Sequence, residues 1–120
     1  MYEKVTEEEV ERRIAASHES VRAVYGYWRQ KAAGRCMPTR ADIEPADLKP
    51  FLPAMILVDV VHDTRRFVYR LVGTHEVAGR GRDPTGLSVA EAFYAGSAEE
   101  ALAAYEYVAR ERAPFCFCEP

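Results

Sequence analysis

The sequence predicts an α+β domain: an antiparallel β-hairpin followed by short helices, behind a long N-terminal helix, with the last strands of the sheet missing or supplied by another chain. Three observations carry this reading. Two apolar runs of strand length, Met55–Val61 and Phe67–Val72, flank the polar link His62–Arg66. From Thr6 to about Ala33 nothing breaks a helix, and Thr6-Glu7-Glu8-Glu9 opens that stretch as a capping box. Two further boxes, Ser88–Glu91 and Ser97–Glu100, open helices downstream of the hairpin.

At 120 residues the chain has room for one core. Hydrophobic residues at 48% and charged ones at 29% are those of an ordinary globular protein. A net charge of −3 gives no basic face for nucleic acid. No apolar run approaches the ~20 residues that span a bilayer, so no membrane association is expected. Met1–Arg13 is charged and acidic, unlike a signal peptide. Three cysteines without a secretion signal point to reduced thiols and a cytoplasmic location.

On the N-terminal helix, residues 1–34 of the chain, Val10, Ile14, Val21, Val24, Tyr25 and Trp28 recur at helical spacing. Gly34 stops it, and Arg29 and Lys31 suit its last turns. The face packs on its own domain or meets a partner helix. Ile14, Val21 and Trp28, seven apart, are the candidate interface residues of a homo-oligomer.

Residues 35–120 form the second part. Pro38, Pro45, Pro50 and Pro53 exclude a long helix over 35–54 and suit a loop with one short turn opened by Pro45. Ile43, Leu48, Phe51 and Leu52 would pin the loop to the sheet. Within the first strand Asp59 either faces solvent or pairs with a cation such as Arg70. In the second strand Phe67, Tyr69 and Leu71 share one face, opposite Val68, Arg70 and Val72. The first strand, apolar in both parities, reads as covered on both faces, and the second as more open. Thr74 caps a short helix, His75–Gly79. Gly79–Gly86 is a loop in which Arg80 and Arg82 are exposed and Asp83 and Thr85 fix a turn. Ser88 opens a short helix ending near Phe93-Tyr94. Ser97 opens one to about Arg112, with Ala98, Ala101, Leu102, Tyr105, Val108 and Ala109 as its apolar face. Phe115–Cys118 alternates like the start of a third strand.

Several of these pieces together resemble a known group. Tyr27-Trp28, Pro38–Leu48, Leu52-Pro53, Ile56–Val60, Arg66–Thr74 and Gly81–Gly86 occur in the order found in a bacterial PAS-like family of short proteins, each with one divergent PAS domain behind an N-terminal helix. The resemblance runs from about Tyr25 to Gly86 and more weakly through 97–112. It implies a two-strand hairpin, a run of short helices, a longer helix and three more antiparallel strands. The domain over 35–120 is therefore expected to be incomplete at its C-terminal end, its sheet continued in a longer chain or by a second copy.

For chemistry the residues offer little. Cys116-x-Cys118 with Cys36 lacks the paired spacing of a zinc site and reads as buried thiols, so no metal is expected. Gly79-x-Gly81 lacks a P-loop pattern. No nucleophile–base or H-E-x-x-H spacing occurs, so no catalytic residue is assigned and the chain is read as non-enzymatic. No cofactor is identified. The function expected is that of a PAS-like sensory or signalling domain binding a small molecule or a protein partner, with a ligand-free homodimerisation module as the alternative. A small-molecule site would lie between the inner sheet face, Phe67, Tyr69 and Leu71, and the helices that carry His75, Phe93 and Tyr105.

Overall fold

The computed structural model describes residues 6–93 and 96–114. Among them the chain forms four α-helices and one two-stranded antiparallel sheet, an α+β arrangement as the sequence leads one to expect. The third strand expected at Phe115–Cys118, the Cys116-x-Cys118 pair and Tyr94 lie outside the described residues.

The N-terminal stretch is not one helix. It is two, α1 (Glu7–Ala15) and α2 (Glu19–Ala32). Thr6 caps the first, its hydroxyl accepting from the Glu9 amide at 3.2 Å. The break falls at Ser17-His18. His18 is extended, its ring Nδ1 accepts from the Ser20 amide at 3.1 Å, and the Ser17 hydroxyl donates to the Arg13 carbonyl at 2.7 Å. Side chains thus satisfy backbone groups that a continuous helix would have paired. After the break α1 lies back along α2. Tyr25 donates to Glu11 at 2.9 Å and Arg29 to Glu7 at 2.8 Å, while Val10 is buried. The helix α2 ends at Ala33 and Gly34, both left-handed.

Residues 35–54 hold three 3₁₀ turns, Arg40–Asp42, Pro45–Leu48 and Leu52–Ala54, where one was expected. Pro45 opens the second as expected. Tyr27 of α2 anchors it, donating to Asp47 at 2.9 Å and accepting from the Glu44 amide at 3.0 Å.

The hairpin pairs β1 (Ile56–Val60) with β2 (Phe67–Val72). Its register passes from Leu57↔Leu71 to Val58↔Tyr69, which leaves Arg70 as an extra residue in β2, a β-bulge. The bulge reverses the side-chain parity. Phe67, Tyr69 and Val72 share the core face with Ile56 and Val58, and Leu71 turns to the other face. Arg70 reaches Asp59 at 3.8 Å, the pairing the sequence suggested.

Burial of the two strands is the reverse of expectation. Phe67 and Tyr69 of β2 are buried, whereas β1 is only half-buried. The reason is that β2's outer edge is not open. Gly86–Val89 runs along it, with amide–carbonyl bonds Gly86→Tyr69, Tyr69→Leu87 and Val89→Phe67 of 2.8–3.0 Å. Ser88 therefore bridges to the sheet instead of opening a helix, although its box is present as a single turn: the Ser88 amide donates to Glu91 and the Glu91 amide to Ser88.

The helix α3 (Thr74–Arg80) is capped by Gly73, with Thr74 already its first residue. The helix α4 (Ala98–Glu111) starts at Ser97, whose hydroxyl accepts from the Glu100 amide. Its Ala101, Leu102, Tyr105 and Ala109 pack on Phe67, Tyr69, Val89 and Ala92 to make the core. Tyr107, outside the expected apolar face, is buried, and Val108 is exposed.

Candidate functional site

Two places bear on function: the core between sheet and α4, and a groove on the other side of the hairpin entry. The core was the expected ligand site. Phe67 and Tyr69 are 1% and 2% exposed, and the Tyr105 ring lies 5.7 Å from that of Phe67, so these aromatics pack on one another. Arg80, expected on the surface, runs beneath them. Its guanidinium donates to the Tyr69 hydroxyl at 3.0 Å and lies 5.2 Å from that ring's centre. Burial pushes the Tyr105 phenol up, and Tyr69 adds to this while Arg80 opposes it. The other three residues of the expected set are elsewhere. Leu71 is on the opposite sheet face through the bulge, Phe93 is 40% exposed, and His75 is on the groove.

The groove has a volume of about 770 Å³ and is open along one side. Four parts of the chain wall it, α3 among them through His75. From the helical pair come Ile14, Val21, Val24, Tyr25 and Trp28. The hairpin entry adds Phe51, Pro53, Ala54 and Met55, and α4 with its sequel adds Val108, Arg112 and Pro114. Tyr25 and Trp28 stack at 6.0 Å between ring centres. Burial and the bond to Glu11 push the Tyr25 phenol up. The candidate interface residues Ile14, Val21 and Trp28 thus come to one wall although the helix that was to align them is broken. Met37 and Phe51 reach the groove through the path of the 35–54 loop and Val108 through the placing of α4, so none of the three could have been assigned to it from the sequence.

The loops around both places are locally fixed. Asp63 holds Arg65 by three side-chain bonds, and Arg66 pairs with Glu106 of α4 at 3.0 Å. Asp83 accepts from the Thr85 amide and hydroxyl, the turn-fixing role expected, and these bonds hold its carboxyl below the usual range.

A two-strand hairpin, then short helical pieces and a longer helix, are the first part of what the sequence resemblance implied, and among the described residues its three further strands are not seen. A family model of the PAS domain matches residues 16–119. The chain belongs to the PAS domain family. The match begins in the break between α1 and α2 and takes in the whole of α2, the hairpin and α4. PAS domains are sensory or interaction modules, and the groove and core described above belong to that module. No curated protein and no solved structure matches the chain. Among the described residues of this PAS domain no helix is long and apolar enough to cross a membrane, and no three His, Cys, Asp or Glu residues come together as a metal site.

Proposed function

We propose that this PAS domain is a non-catalytic sensory module of the cytoplasm whose binding surface is the groove between α2, the Leu52–Met55 entry and the end of α4. The observation that carries this is the contrast between the two places. Phe67, Tyr69 and Tyr105 are packed into a core, whereas the groove is open, apolar, and within the 300–1,000 Å³ typical of small-molecule sites. An occupant would touch α2 and α4 together and so favour one packing of α2 over others, a shift of population that a partner could read.

Homo-oligomer formation through the same surface is the second reading. It is favoured by Val21 and Val108, 43% and 39% exposed on the groove. The acidic balance argues against a nucleic-acid partner.

The test uses Nile red, a neutral dye whose emission shifts to the blue in apolar surroundings. The full chain is expected to bind it, and Val24→Glu, with an unchanged circular dichroism spectrum, to abolish binding. Equal binding by the variant would sink the groove as the site. Sedimentation of both proteins separates the second reading, which requires the variant to dissociate.

A further inference from the structure

We infer that the groove takes an amphipathic anion, a small molecule with an apolar body and a carboxylate met by Arg112 and His75. This rests on the groove being the binding surface. The charge pattern of the wall carries it. The chain has 19 acidic and 16 basic residues, yet the groove's described lining includes Arg112 and His75 and no carboxylate. Among the described residues Arg112 makes no ion pair. Arg29, Arg35, Arg65 and Arg66 by contrast each have a carboxylate within 3.0 Å.

Arg112 is also placed by the fold. It is the left-handed C-cap of α4, φ 52°, and its amide donates to the Val108 carbonyl at 2.9 Å. Its own turn thus adjoins Val108, a groove residue. Arg112 is exposed, so a carboxylate there meets its guanidinium through charge-assisted bonds that water partly screens, while the apolar body lies on the wall. His75 comes from a different element, the first turn of α3, so a second element brings a ring nitrogen able to hydrogen-bond to the same groove.

The alternative occupant, a second copy docked groove to groove, fits less well. An isologous contact presents the same Arg112 and His75 from both sides, with no carboxylate on the described lining to meet them.

The test titrates octanoate and octan-1-ol into the full chain and follows the methyl NMR signals of Val21, Val24, Met55 and Val108. Both are expected to move these signals, with octanoate binding about tenfold more tightly, one charge-assisted bond's worth. Arg112→Asn keeps a residue that tolerates the left-handed cap and is expected to remove most of that advantage while octanol binding stays. Equal affinities for the two probes, or an octanoate advantage untouched by Arg112→Asn and His75→Gln, would overturn the anion and leave the groove standing. Silence of the four methyls with both probes would overturn the groove as well. Shifts spread over the surface would mean detergent-like association and overturn the anion site.

Discussion

The backbone carbonyl oxygen of Leu52 fills the space that a side chain on Gly73 would take, and the Gly73 amide donates to the Met55 carbonyl at 2.8 Å. A Cβ at residue 73 would overlap the backbone of Leu52 and Pro53, which has no flexible end to move aside. This contact ties the start of α3 to the 3₁₀ turn that forms one wall of the groove. Gly73→Ala is therefore expected to lose about 3 kcal/mol, at the upper end for forced overpacking. Urea unfolding measures this, and a loss below about 0.5 kcal/mol would show that the two segments separate easily.

Tyr69 and Arg80 make the second tie, across the core. The Tyr69 ring is buried and its hydroxyl accepts from the guanidinium. Tyr69→Phe keeps the ring and removes that acceptor, with an expected cost of about 1–2 kcal/mol. Tyr69→Leu loses ring packing on Val89 and Phe67 as well, and should cost more. Equal stabilities of wild type and Tyr69→Phe, by chemical denaturation, would mean that the bond adds nothing net.

Acid is expected to loosen the 35–54 loop through Asp42. Its carboxyl accepts from the Thr39 amide at 2.8 Å, the Thr39 hydroxyl at 2.9 Å and Arg35 at 2.9 Å, which together lower its pKa to about 2. The folded state thus holds the proton less tightly than the unfolded one. Its contribution is fully present above the unfolded value near 3.8 and is lost as pH falls through about 2. In Asp42→Asn that part of the pH dependence should vanish between pH 4 and 2. Carboxyl NMR titration of Asp42 checks the assignment directly, and an ordinary midpoint would refute it.

How much of this was legible beforehand depended on whether the signal was local. The hairpin, the Asp83–Thr85 turn and the Ser97 cap arise from residues near in sequence and could be read, whereas the Asp59–Arg70 pair was only one of two alternatives the sequence left open. Leu71 could not be placed, because the bulge at Arg70 carries no glycine to mark it and reverses every side chain beyond it. Ser88 has the residues of a capping box and forms its two bonds, yet the free edge of β2 competes for the same backbone. The break at Ser17-His18 was hidden for a related reason. No residue there forbids a helix, and the return of α1 is selected by Tyr25, Arg29 and Val10, which lie beyond local reach. The groove, assembled from α2, Met55 and Arg112, has no local signature at all.

The break itself yields the last expectation. If His18 and the reversal of α1 are set by tertiary contacts, removing those contacts should free α1 without unfolding the rest. Val10 is the one residue of α1 buried in the structure, and the pairs Arg29–Glu7 and Tyr25–Glu11 are exposed and screened by solvent. Val10→Ser removes the apolar anchor and leaves a hydroxyl in its place. Amide hydrogen exchange should then speed up over Glu7–Ala15 while protection in β2 and α4 holds. Because Ile14 lines the groove, Nile red binding should weaken only in part, since α2 and the hairpin entry still supply most of the wall. Uniform loss of protection across the chain would instead make α1 an integral part of the fold, and the break a bend within one cooperative unit.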